Sequence, residues 1–153
     1  MDITRLKELE RELPEAAPPG ANYVPFVRAG NLLFVSGQLP KWNGERRYTG
    51  KLGREFDVPE GRQAARLCAL NVLALLRAAV DGEWAKVVRC VRVAGYVNAT
   101  DDFTAHSQVI DGASDVLVEA LGEAGRHARI AVGTSGLPYG AAVEVEAVFE
   151  VRP

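Results

Sequence analysis

Two periodicities divide the chain. Toward its end Ala128, Ile130, Val132 and Thr134 alternate with Arg129, Ala131 and Gly133. Further on Val143, Val145, Ala147, Phe149 and Val151 alternate with Glu144, Glu146, Val148 and Glu150. A period of two marks a strand with one buried face. Leu137, Pro138, Tyr139 and Gly140 break the pattern, so the stretch predicts two strands closed as an antiparallel hairpin, with Arg129 and Glu144 nearly opposite each other as an ion pair. Tyr23 to Ala29 and Leu32 to Ser36 predict a second hairpin about Gly30 and Asn31, and the β-branched run Lys86 to Ala99 predicts a central strand. Residues 41–57 read as a loop with one short strand.

Helical spacing appears in three places. Ile3, Leu6, Leu9 and Leu13 recur among charges and predict a short amphipathic helix over residues 2–13, ended by Pro14, Pro18, Pro19 and Gly20. Pro59 suits a first helical turn and Glu60 its positive end, and from there Leu67, Leu70, Leu73, Ala74, Leu76 and Val80 form a broad apolar stripe up to Asp81 and Gly82. Val109, Ala113, Val116, Leu117, Ala120 and Leu121 predict another helix, with Thr100, Asp101 or Asp102 as its cap and Gly122 or Gly125 as its end. Two main helices for five to six strands give an α+β fold with the helices packed on one face of a mixed sheet, plus the N-terminal helix. Residues 1–20 are then a helix and linker, and 21–153 a single globular domain. The uncovered face is expected to carry Arg129, Glu144, Glu146 and Glu150 beside Ala131 and Gly133, a mixture that suits a subunit interface holding water or ligand.

Composition narrows the classes of function. The 153 residues are 48% apolar and 25% charged, ordinary for one globular domain. Eighteen basic against twenty acidic residues give a net charge of -2, which offers no electrostatic footprint for nucleic acid. The longest uncharged apolar run, Leu67 to Leu76, is interrupted by Asn71 and too short to span a bilayer, so no membrane is expected as a partner. The first thirteen residues are highly charged and lack a signal peptide's apolar core, which points to the cytoplasm. Cys68 and Cys90 fall in a helix and a strand and read as buried small hydrophobes rather than a disulfide. His106 and His127 are the only histidines, and no His, Cys or Asp cluster has metal-ligand spacing. Gly133 to Gly136 is neither a nucleophile elbow nor a phosphate loop, so neither metal nor nucleotide cofactor is expected.

Several residues suit chemistry. Arg129, held on a strand, is a rigid bidentate fork for a carboxylate; its bland reading is a structural ion pair with Glu144. Glu144, or equally Glu146 two residues on, suits a general base. Tyr23 and Ser36 are hydroxyls that singly read as buried and satisfied, and Ser36, Gly37, Gln38, Leu39 and Pro40 leave a strand as a loop with exposed backbone.

Two motifs add to this reading. The pattern A-R-x-x-V-x-x-x-x-L-P, matched by Ala128, Arg129, Val132, Leu137 and Pro138, with V-E-V-E-A at Val143 to Ala147, resembles the C-terminal signature of the RidA/YjgF family of imine and enamine deaminases, also described as endoribonuclease L-PSP. Gly30 to Pro40, G-N-L-L-F-V-S-G-Q-L-P, resembles its other signature. The resemblance covers most of residues 22–152 and leaves the N-terminal helix outside the family's core. It implies a chorismate-mutase-like fold, a homotrimer with pockets between subunits, no cofactor, and hydrolysis of 2-enamine or 2-imine acids to 2-keto acids and ammonia. Within it Arg129 holds the substrate carboxylate and Glu144 positions or activates water. Tyr23, thirteen residues before Ser36, matches the family spacing, and Gly37, Gln38 and Ser107 complete the implied substrate-binding set. Ala131 stands where the family often has cysteine and Ser107 where it has asparagine. With Gly112 to Asp115 and Gly125 to His127, these mark a divergent branch. A non-catalytic trimer that binds small carboxylates is the alternative, and an endoribonuclease fits least, given the charge.

Overall fold

The longest helix begins at a capping box. In the computed structural model, which describes residues 3–153, the Asp57 carboxylate accepts the Glu60 backbone N–H and the Glu60 carboxylate accepts that of Asp57, each at 3.2 Å. Two donors with no partner inside the helix are thereby satisfied. From there α2 (Val58–Ala79) lays Leu67, Leu70, Leu73 and Leu76 into the core. Beside it α3 (His106–Leu121) buries Val109, Ile110, Val116 and Leu117. The expected cap at Thr100 to Asp102 is not the one used. The Thr100 hydroxyl donates to Asp102 in a separate turn, and α3 starts after Ala105 with no side-chain cap.

Five strands form the sheet: β1 (Phe26–Ala29), β2 (Leu32–Gln38), β5 (Val87–Asn98), β6 (Ala128–Thr134) and β7 (Val143–Val151). Their order is β1-β2-β7-β5-β6, with β5 and β6 parallel and every other pairing antiparallel. Where one short strand was expected there is a two-stranded ribbon, β3 (Lys41–Trp42) with β4 (Glu45–Arg46). The predicted terminal hairpin is corrected. Both strands exist at the expected residues, but β5 lies between them, so Arg129 is paired with Val93, and Glu144 with Tyr96. The intervening residues 135–142, with a 3-10 turn at Pro138–Gly140, are long enough to step over a strand, since two strand spacings are only about 10 Å. The α3 crossover then makes β5-α3-β6 a parallel unit, which a helix can close and a tight turn cannot.

Register decides which side chains share a face. Leu33, Val35, Val93, Val97, Val143, Val145 and Phe149 are buried beneath the helices. Arg129 and Gly133, paired with Val93 and Val97, lie on that same helix-covered side at the sheet's outer edge. Glu144, Glu146 and Glu150 alternate with the buried residues of β7 and lie on the open face. The expected gathering of Arg129, Ala131 and Gly133 with the glutamates is therefore also corrected. In their place the open face carries exposed Leu32, Phe34, Ile130 and Val132.

Of the helix predicted over 2–13, residue 2 lies outside the described chain, and α1 is Ile3–Glu10. Leu6 and Leu9 are buried in the shared core. The Glu10 carboxylate accepts from Trp84 Nε1 at 2.7 Å and Arg77 Nε at 2.8 Å, so α1 caps its own chain. Both cysteines are free and buried; burial raises the Cys68 thiol and pushes Cys90 up to about 12, which suppresses thiolate chemistry. No described helix is long and apolar enough to cross a membrane.

Close packing of α2 on α3 depends on a missing side chain. A Cβ on Gly112 would lie 2.1 Å from the Arg62 carbonyl oxygen, a backbone atom that yields only if the helices part. Gly112→Ala is expected to cost about 1–3 kcal/mol in urea unfolding, and an unchanged midpoint would contradict this account of the helix pair.

Candidate functional site

At the end of β2 the ladder with β7 slips between Val35 and Gln38, and the strand bends away from its neighbour. A cavity of about 210 Å³ opens there, lined by Tyr23, Gly37, Gln38, Lys41, Asn71, Tyr139 and Glu144 among others. The Glu144 carboxylate rests over Gly37, where a Cβ would meet its Oε1 at 2.3 Å. Burial, with Glu146 adding to it, raises its pKa, and no hydrogen bond among the described residues offsets that. Glu146, which the sequence could not separate from it, faces Arg92 at 3.7 Å instead. Glu144 is thus the carboxylate available in a concavity.

The cavity wall has polar groups of its own. Asn71 is 5% exposed, and its Nδ2 donates to the carbonyls of Lys41 (2.7 Å) and Leu67 (2.9 Å). That fixes the amide and leaves Oδ1 as an acceptor at the wall. Tyr139 holds a left-handed backbone (φ 59) with its ring 3.5 Å from the Arg46 guanidinium. Strained backbone of this kind concentrates at ligand sites. Ser36 does not line the cavity; its hydroxyl donates to the Val24 carbonyl at 2.7 Å and anchors the segment carrying Tyr23. Gln38 Nε2 donates to the carbonyls of Ser36 and Gly37, bracing the bend.

Arg129 sits elsewhere. Its Nη1 donates to Asp111 Oδ1 at 2.8 Å and Ser114 Oγ at 3.1 Å, and its Nη2 donates to the Ser107 hydroxyl at 2.6 Å and carbonyl at 3.3 Å. The side chain is 20% exposed. Ser107, Asp111 and Ser114 fall at i, i+4 and i+7, one polar stripe along α3 facing the edge strand. The Ser114 hydroxyl lies 2.9 Å from His127 Nε2, and His127 Nδ1 lies 2.6 Å from the Gly125 carbonyl. A carbonyl only accepts, so the proton is on Nδ1 and Nε2 receives the Ser114 hydroxyl. Burial, with the neighbouring Arg129 charge, lowers the His127 pKa and favours this neutral form. A second, more open concavity of about 640 Å³ borders Ser114, His127 and Arg129.

Within one chain the predicted residues therefore form two groups. Tyr23, Gly37, Gln38 and Glu144 share the cavity at the sheet's end, while Arg129 and Ser107 meet over α3. The structural ion pair proposed as Arg129's bland reading exists, but with Asp111 rather than Glu144. Sequence reasoning missed Lys41, Tyr139 as a wall, and Asp111. The signal for Asp111 was the polar stripe on an otherwise apolar helix face. Among the described residues no group of three or more His, Cys, Asp or Glu side chains is placed to hold a metal ion.

Comparison with known proteins bears on this arrangement. The family model described as "YjgF/chorismate_mutase-like, putative endoribonuclease" matches residues 3–150, a span that takes in α1 as well as both groups. Protein TCP17 of Trypanosoma cruzi is 48% identical over 148 residues, covering 96% of this chain and 92% of the relative. The crystal structure of Atu1372 from Agrobacterium tumefaciens is 47% identical with a TM-score of 0.90, covering 97% of this chain and 91% of that one. That of E. coli TdcF with bound serine is 25% identical with a TM-score of 0.62, covering 92% and 94%. Motifs, sheet order and these matches agree, and the chain belongs to the RidA/YjgF family, on its chorismate-mutase-like fold.

Proposed function

We propose that the protein is a cofactor-free deaminase that hydrolyses 2-imine or 2-enamine acids to 2-keto acids and ammonia. The observation that carries this reading is the Glu144 carboxylate, half-buried, without a hydrogen-bond partner among the described residues, and raised in pKa inside a cavity of about 210 Å³. A carboxylate in that state takes a proton from water as the water attacks the imine carbon. A 2-enamine first tautomerises to the imine; the tetrahedral adduct then collapses as its hydroxyl proton passes by way of Glu144 to the departing nitrogen, the C–N bond breaks, and ammonia and the keto acid leave. Tyr23 and the Asn71 Oδ1 supply a donor and an acceptor on the same wall. That TdcF, a family member, binds serine supports a ligand of amino-acid size.

Arg129 joins this site from a second copy of the chain. In one chain β5 separates it from Glu144, and each borders its own concavity. The exposed apolar residues Ile130 and Val132 follow Arg129 on β6 and, with Phe34 and Leu32, give the open face a patch that association would cover. A homotrimer, as the family resemblance implies, sets Arg129 of one chain over the Glu144 cavity of the next. The other reading is a trimer that binds small carboxylates without turnover. It is favoured by one observation, that the Arg129 fork already has intrachain partners. An endoribonuclease would need a basic surface that a net charge of -2 does not supply.

Release of ammonia from imines generated in situ separates the two readings. A charge-assisted contact is about 1.5–3 kcal/mol, so Arg129→Ala is expected to lower kcat/KM at least about tenfold. Equal rates in both proteins would end the deaminase proposal, and tight keto-acid binding without turnover would favour the second reading.

Glu144 gives a linked pair of expectations. Burial raises its folded pKa above the ordinary glutamate value, so kcat/KM should fall with acid at a pH above the ordinary glutamate range. A raised folded pKa also means that its stabilising contribution is full below the unfolded value and lost as pH rises through the folded one. Glu144→Gln should therefore melt higher than wild type at pH 8 while losing activity. Gly37→Ala, whose Cβ would displace only the carboxylate end of Glu144, should keep its fold and lose activity as well. A fully active Gly37→Ala enzyme would contradict the placement of Glu144 in the reaction.

A further inference from the structure

The Arg129 fork is not vacant. Its four terminal N–H groups are directed to Asp111, Ser114 and Ser107, which leaves only Nε–H uncommitted. One N–H cannot grip a carboxylate in the bidentate way that makes arginine selective. The Asp111 carboxylate, moreover, already neutralises the guanidinium from 2.8 Å.

Asp111 has an alternative seat. Its other oxygen is 3.8 Å from Arg62 Nη1, while Arg62 Nη2 binds Asp115 at 2.8 Å. Asp111 and Asp115, one turn apart on α3, both face Arg62 of α2. The Asp111 side chain is 45% exposed, so it can cross this gap without burying its charge. The guanidinium, by contrast, stays fixed. Ser114 commits its proton to His127 and so turns a lone pair to Nη1, and the Ser107 hydroxyl holds Nη2.

We propose that Asp111 is a resident competitor in the Arg129 fork and so sets how tightly the site holds a ligand carboxylate. A ligand carboxylate enters by exchange, taking the Nη1–H that Asp111 holds while Asp111 passes to Arg62. Affinity is reduced by the fraction of chains in which Asp111 still occupies the fork. This rests on the reading that Arg129 receives a ligand carboxylate, and the test keeps the two apart.

Binding of 2-oxobutanoate is measured by isothermal titration calorimetry on wild type, Asp111→Asn, Arg62→Ala and Arg129→Ala. Loss of the competing charge should tighten binding in Asp111→Asn by at least about fivefold. Loss of the alternative seat should weaken it in Arg62→Ala by about threefold or more. A merely structural Asp111 gives the opposite sign, since loosening the fork weakens binding; unchanged or weaker binding by a folded Asp111→Asn overturns the inference. Should Asp111→Asn fail to fold, Arg62→Ala decides, and unchanged or tighter binding there overturns it equally. Arg129→Ala binding as wild type does would instead sink the underlying assignment of the arginine.

Discussion

The site depends on the place of β5. By lying between β6 and β7 it takes both as partners, one parallel and one antiparallel, and so forces Arg129 and Glu144 onto opposite faces of the sheet. A hairpin would have let the two charges neutralise each other and ended their usefulness. Separation leaves the carboxylate without a counter-charge in a small cavity, where burial raises its pKa, and leaves the guanidinium to be organised by α3. Within one chain each group then borders its own concavity.

The helices serve that separation. The α3 crossover that makes β5 and β6 parallel also supplies Ser107, Asp111 and Ser114 to the arginine. Gly112 lets α3 approach α2 closely enough for Arg62 to reach Asp111. Packing and site share the same stretch of backbone. Ser114, Asp115, Arg126 and His127 accordingly border the Arg129 concavity rather than the Glu144 cavity.

Much of this was legible in the sequence, for definite reasons. Strand and helix positions followed from periodicity because each element buries one face, and Pro59 with Glu60 marked the first turn of α2. Partner choice was not legible. The alternation of β6 and β7 reports that each has a buried face but says nothing about which neighbour it pairs with, and eight residues between them suit a turn or a step over one strand equally. The same limit hid Asp111, since its role depends on an edge strand arriving over α3. Tyr23, Gly37, Gln38 and Glu144 line one cavity where β2 slips against β7, whereas Ser36 and Ser107, which the motif match grouped with them, lie outside it.

The central claim is that one reaction centre is built from Glu144 of one chain and Arg129 of another. Subunit complementation tests it directly. Arg129→Ala and Glu144→Gln proteins, each strongly impaired alone, are co-assembled in equal amounts and assayed for ammonia release. In a closed ring of heterologous contacts, random mixing gives about one seam in four with both native residues, so roughly a quarter of wild-type activity should return. No recovery in mixed oligomers shown to contain both chains would contradict the shared site.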